Sequence, residues 1–251
     1  MTGPVRLDVS PPLAVVRLGD EAGRNRISPA LAKGMISALE KAAADPGVRA
    51  VVLEGLPDIF CAGGTPERML GGFEQRVDEI WEFLRSVLTC PVPVVAAVQG
   101  HALGGGLLLA LYCDIQVFSA RSRYATTFAM YGLAPIGGAT YIVPQMLGAA
   151  LGREMLHTGR SYRGQELAVR GAGVRVADHD RVVAEAHRAA LYVAQGTRTS
   201  VEHGKAHLAT PVLEAATEAL RREAPAHEAT ARTAESERRI RMLYGGGPRH
   251  G

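Results

Sequence analysis

The sequence predicts an α/β fold with a largely parallel sheet, continued by a helical C-terminal appendage. Three observations point there. Short β-branched runs alternate with stretches of helical apolar spacing. Glycine-rich turns follow two of these runs, at the carboxyl ends where parallel strands present ligands. From Arg181 onward no strand-like run occurs. The expected organisation is an α/β core over residues 1–180 and a helical region over residues 181–251.

Along the chain, Leu13–Leu18 (LAVVRL) and Ala50–Leu53 (AVVL) read as strands flanking a helix from Ser28 to Ala43. Ser28 is placed to cap that helix, Pro29 suits its first turn, and Asp45-Pro46-Gly47 stops it. Residues 66–89 are amphipathic and largely charged, which predicts one or two helices. Val92–Val98 (VPVVAAV) reads as a buried strand, Leu107–Tyr112 as a buried helix, and Asp114–Ser119 as a further strand. Shorter helices are expected at Val143–Leu151 and Gly164–Arg170. The tail predicts helices at Arg181–Gln195, Ser200–Ala209 and Val212–Leu243. The last is expected to break at Pro225, where proline removes a helix hydrogen bond. Its Ala/Leu face needs a packing partner in this chain or in a neighbouring subunit.

Composition narrows the function classes. With 251 residues, 47% of them hydrophobic, the chain can bury a substantial core, and a charged fraction of 21% excludes a disordered or fibrous class. The net charge of +3 is scattered, which argues against a nucleic-acid partner. No apolar run is long enough for a membrane span, and MTGPVRLDVSPPL lacks the pattern of a secretory signal. Cys61, Cys90 and Cys113 lack metal-ligand spacing and read as reduced thiols. The expectation is a cytoplasmic protein without a metal site.

The chemistry-bearing segments are two turns. Phe60-Cys61-Ala62-Gly63-Gly64-Thr65 follows the strand around Val51–Glu54, and Gln99-Gly100-His101-Ala102-Leu103-Gly104-Gly105-Gly106 links the strand ending at Val98 to a buried helix. Glycines let backbone N–H groups approach a substrate oxygen, and a helix N-terminus adds a positive dipole. Two such turns facing each other would form an oxyanion hole. A dinucleotide fingerprint is absent after the first strand, and a phosphate-binding Walker loop is excluded because this region has no lysine.

In order and spacing, the paired turns resemble the crotonase (enoyl-CoA hydratase/isomerase) superfamily, which carries F-x-A-G-x-D and G-x-A-x-G-G-G at these places. The resemblance extends to Asp114-Ile115 and Pro135–Thr140 (PIGGAT). It implies a crotonase ββα spiral core and a thioester substrate whose carbonyl is held by two backbone amides. These fall on Gly64 and Gly105, with Ala62, Gly63, Gly104 and Phe128 beside them in the substrate site. The glutamate positions of hydratases fall on Leu108 and Phe128, so hydration by a glutamate pair is not expected. An apolar site instead favours a step that removes charge from a carboxylate.

Further segments are similar to one subgroup, the decarboxylating crotonase homologues of polyketide β-branching cassettes. They are Thr65-x-Glu67-x-Met69-Leu70, Phe128-x-x-Tyr131-Gly132, Ser161-Tyr162-Arg163-Gly164 and Arg239-Ile240-x-x-Leu243-Tyr244-Gly245. That resemblance implies a lyase converting 3-methylglutaconyl to 3-methylcrotonyl on an acyl carrier protein, with no metal or organic cofactor. It places a catalytic histidine at His227 and a homotrimer, or a dimer of trimers, around the C-terminal helices. Coenzyme A remains an alternative carrier, because pantetheine is common to both. Enoyl hydratase or dehydratase, enoyl isomerase and a non-catalytic carrier-binding homologue remain alternative functions. The subgroup's lysine before the strand at Val92 has no counterpart between Cys61 and Gly105, where Arg76 is the nearest cation to its place. Arg76 could hold a carboxylate but could not donate a proton at neutral pH.

Overall fold

The computed structural model describes residues 3–70 and 74–245, leaving the side chains of 74–76 and 244–245 outside that description. The chain opens with a hairpin, β1 (Val5–Ser10) and β2 (Leu13–Leu18), then α1 (Pro29–Ala44) and β3 (Ala50–Glu54). Ser28 caps α1 as expected, its Oγ accepting from Leu31 N at 3.2 Å. Next come β4 (Ile59–Cys61), α2 (Pro66–Leu70), α3 (Glu74–Thr89), β5 (Val94–Val98), β6 (His101–Leu103) and α4 (Gly105–Tyr112). The core continues through β7 (Ile115–Ser119), β8 (Arg123–Ala125), α5 (Ala139–Leu147), α6 (Ala149–Thr158), β9 (Tyr162–Arg163), α7 (Gly164–Val169) and β10 (Arg175–Ala177). Helices α8 (Val182–Val193), α9 (Arg198–Ala231) and α10 (Ala234–Gly245) complete it.

The main sheet has the order β1-β2-β3-β5-β7-β10, parallel throughout except for the β1–β2 hairpin. Strands β3 and β5 are buried along their whole length, which is why they read as near-continuous apolar runs. Alternate residues serve the two sides. Val51, Leu53, Val94, Ala96 and Val98 join the large core with Leu31 and Met35 of α1, Phe83 and Leu84 of α3, and Leu107 of α4. Ala50, Val52, Val95, Ala97 and Val117 pack under Val182, Ala186 and Ala190 of α8.

A second sheet, ordered β4-β6-β8-β9, is built from strands of two or three residues. They are too short to show periodicity in the sequence. This small sheet positions the site: β4 and β6 run parallel, with Cys61 opposite Ala102, so the turns that leave them emerge side by side.

The helical tail departs from its expected form. In place of helices at Ser200–Ala209 and Val212–Leu243 with a break at Pro225, α9 runs unbroken through Pro211 and Pro225, and the chain interrupts only after Ala231. An interior proline costs about 3 kcal/mol. Ala209, Ala216, Ala219, Leu220, Glu223 and His227 are buried along α9, and this packing offsets that cost. The helix expected at Val143–Leu151 is two, α5 and α6, meeting at Gly148 with φ 90°.

Candidate active site

At Gly63 the backbone has φ +82°, and a Cβ there would lie 2.6 Å from Leu103 O and 3.5 Å from Gly105 N. Glycine is therefore required on the first turn, and the missing side chain is what lets the second turn touch it. Gly106 brings the start of α4 equally close to β4, since a Cβ there would sit 2.2 Å from Cys61 O. Ile27 N donates to Gly63 O at 2.8 Å and Gly104 N to Ala125 O at 2.8 Å, so neighbouring backbone anchors each turn. Gly105 opens α4, where the first-turn N–H groups have no acceptor within the helix and the dipole is positive.

Both turns border one cavity of roughly 890 Å³, counted with its open mouth. Ala62, Gly63, Gly64, Gly104 and Gly105 line it, together with Leu108, Phe128 and His227. Most other walls are apolar, including Val77, Ile80 and Leu84 from α3 and Ile136. Among the described lining residues there is no carboxylate, and the two positions where a hydratase glutamate was sought are the apolar Leu108 and Phe128.

His227 reaches this cavity from α9 of the same chain. Its Nδ1 lies 2.5 Å from Ala134 O. A carbonyl can only accept, so Nδ1 carries the hydrogen and Nε2 of the neutral ring carries the lone pair. The Ala134 peptide is gripped on its other side too, its N donating to Thr230 Oγ1 at 3.0 Å, one helical turn beyond His227. The imidazole stands edge-on to Phe128, with ring centroids 6.4 Å apart at 87°. Burial holds its pKa below the ordinary 6.5, outweighing the opposing pull of the Ala134 hydrogen bond and of Glu223.

Glu223, one turn before His227, is buried and accepts from Gly138 N at 2.8 Å, Thr140 N at 2.7 Å and Thr140 Oγ1 at 2.6 Å. It caps α5 from α9 and so fixes the height at which His227 enters the cavity. The i, i+4 spacing of Glu223 and His227 was legible in the sequence, but the acceptor role was not.

Other residues singled out in the sequence fall elsewhere. Arg76 lies in α3, and its side chain is outside the described residues. Cys61 is buried and its thiol is pushed up to about 12, so it is a packing residue and not a thiolate. His101 accepts from Arg123 N at 3.0 Å and does not line the cavity. Sequence reasoning passed over Arg68 and Thr127 and quoted Met69 and Tyr131 only within the resembling segments, with no site role; all four line the cavity. Arg68 sits inside the quoted Thr65–Leu70 segment as an unassigned position. Only the fold of α2 against the cavity shows its place.

The geometry can now be set beside known proteins. The family model described as enoyl-CoA hydratase/isomerase matches residues 9–244. The chain belongs to the enoyl-CoA hydratase/isomerase family. Within that family it is 34% identical over 242 residues to the bacillaene synthase decarboxylase PksI of Bacillus subtilis, covering 95% of this chain and 96% of the relative. The decarboxylase domain of CurF from Lyngbya majuscula superposes with a TM-score of 0.88 at 32% identity, over 96% of this chain and all 100% of that one. A solved structure of a dehydratase/decarboxylase enzyme couple involved in polyketide β-branching superposes with a TM-score of 0.90 at 34% identity, over 97% of this chain and 100% of that one. The crotonase fold expected from the paired turns is thus the fold of the chain. Among the described residues, no helix is long and apolar enough to cross a membrane.

Proposed function

We propose that this chain decarboxylates a 3-methylglutaconyl-type thioester to the 3-methylcrotonyl-type thioester, on an acyl carrier protein, in polyketide β-branching. One observation carries the reading. Two glycine turns and one buried histidine line the same, otherwise largely apolar cavity, whose described lining holds no carboxylate. The names of the similar decarboxylases support the same chemistry.

The thioester oxygen sits between the N–H groups of Gly64 and Gly105. The bond between the γ-carbon and the carboxylate breaks, carbon dioxide leaves, and the electron pair passes through the double bond to that oxygen. Each donor aimed at the developing charge contributes about 3 kcal/mol to the transition state. A water held at Nε2 of His227 supplies the proton that the γ-carbon takes up, and the hydroxide left behind is neutralised from solvent. The conjugated thioester is the electron sink, so the step asks for no metal or organic cofactor.

The apolar walls suit this reaction and not hydration, because a carboxylate is costlier to desolvate than the delocalised dienolate. We infer a homotrimer, or a dimer of trimers, from the resemblance and from large apolar side chains left exposed on the tail, Leu208 and Met242 among them.

The test is release of carbon dioxide from carrier-bound 3-methylglutaconyl by the wild type and by Gly105→Pro. Proline is tolerated in the first turn of a helix but removes the N–H donor. The expected result is release by the wild type and a roughly 10²- to 10³-fold lower kcat in the variant. A wild type that releases none overturns the reading.

A further inference from the structure

We propose that Arg68 recognises the substrate's carboxylate and selects carboxylated over neutral acyl thioesters. The inference rests on the decarboxylation reading and names the residue that makes the same cavity specific for its substrate. Among the described residues lining the cavity, Arg68 is the one with a permanent positive charge. The other basic side chain there, His227, has its pKa lowered from 6.5 by burial, which favours the neutral imidazole at pH 7. A carboxylate entering these apolar walls loses its hydration at a cost that neither a neutral imidazole nor two amides committed to the carbonyl can offset.

The placement of Arg68 fits this task. It lies on α2, four residues past Gly64, and its backbone N donates to Thr65 Oγ1 at 3.3 Å, which ties α2 to the first turn. Its side chain is only 14% exposed, and Nη2 donates to Glu79 Oε2 at 2.5 Å. Glu79 is 58% exposed, so that ion pair faces solvent, while the mostly buried Arg68 also lines the cavity. A guanidinium presents its donors in a planar fork that matches a carboxylate side-on. Since Arg68 does not give up a proton at neutral pH, it orients the leaving group and leaves protonation to the His227 side.

This role has a distinct kinetic signature. In the ground state the negative charge is on the carboxylate, next to Arg68. In the transition state it moves away toward the amides of Gly64 and Gly105. Arg68 therefore favours bound substrate at least as much as the transition state, and its removal falls on KM rather than kcat.

The experiment compares wild type, Arg68→Met and Arg68→Lys, each first shown to be folded by its thermal transition. It measures KM and kcat for 3-methylglutaconyl-pantetheine and the Kd of the neutral product analogue 3-methylcrotonyl-pantetheine. Arg68→Met is expected to raise KM about 10- to 100-fold, leave kcat within about threefold, and leave the neutral analogue's Kd unchanged. Arg68→Lys, which retains charge without the fork, is expected to raise KM less than Arg68→Met does. Equal weakening of both ligands, or no change in either, overturns the proposal. If the wild type proves not to decarboxylate, the Kd of 3-methylglutaconyl-pantetheine replaces KM, and the same contrast with the neutral analogue decides the role of Arg68 by itself.

Discussion

His227 is oriented by a backbone carbonyl, where many catalytic histidines are oriented by a carboxylate, and this changes how its titration reports on activity. A carboxylate partner would stabilise the imidazolium. Ala134 O holds Nδ1–H without a full charge, and burial keeps the ring neutral. The form with a lone pair on Nε2 therefore dominates at and above neutral pH. The pH profile of kcat should be flat from neutrality upward and fall on the acid side, with its midpoint below the ordinary 6.5. His227→Ala should abolish that limb and lower kcat about 10²-fold. Stability follows the same sign: the unfolded chain takes up the proton first as pH falls, so this contribution is complete above the ordinary value and declines below it. An activity limb that instead climbs as the solution becomes acid would show that the imidazolium is the working form. Urea midpoints of the wild type and His227→Ala across pH 5 to 8 check the stability half.

Helix α9 carries that histidine into the cavity, and polar ties along its length set where it lies. Arg198, at its start, donates through Nη2 to Ala43 O at 2.7 Å and through Nη1 to Asp45 O at 2.8 Å, satisfying carbonyls at the end of α1. Lys205, buried, donates to Val87 O at 2.8 Å and pairs with Asp114, which also accepts from Val94 N at 2.8 Å. Glu223 is the last tie before the site. Glu223→Ala leaves the Gly138 and Thr140 donors unsatisfied and should cost about 3 kcal/mol in urea unfolding, with a fall in kcat as His227 loses its fixed height. Unchanged stability and kcat would contradict the positioning argument. Legibility at this scale divides by length and packing. Strands β2, β3 and β5 were readable because four or five apolar residues in a row, rich in valine, have few other uses, and β7 because Ile115, Val117 and Phe118 crowd into five residues. Strand β1 also carries a period-two pattern, Val5, Leu7 and Val9 alternating with Arg6, Asp8 and Ser10, which could have revealed it. The two- and three-residue strands of the second sheet have no period to detect. The continuity of α9 through Pro225 was misread because local propensity says nothing of the burial that overrides it.

At the scale of the molecule, the second sheet brings two distant glycine turns together, and the helical tail returns over them. Helix α10 packs on α2 and on the 3-10 turn Ala129–Tyr131, with Ile240 buried and Ser236 Oγ donating to Gly132 O at 2.8 Å. The first turn, the mouth of the cavity and the C-terminal segment thus form one packed unit. The backbone half of the site was visible in the sequence, because glycine at close approach leaves a pattern in any chain that needs it. His227 was visible only through resemblance. Arg68 was hidden, because a charged residue on a five-residue helix shows no preference for cavity or solvent until that helix is placed. The central claim joins all three scales: the amides take the charge, carbon dioxide leaves, and a proton returns to carbon from water. The most direct measurement is the intact mass of the acyl group on its carrier protein after incubation with the enzyme in heavy water. The account predicts loss of carbon dioxide with one deuterium on the γ-carbon. Gain of one heavy water, or deuterium exchange with the carboxylate still in place, would contradict it.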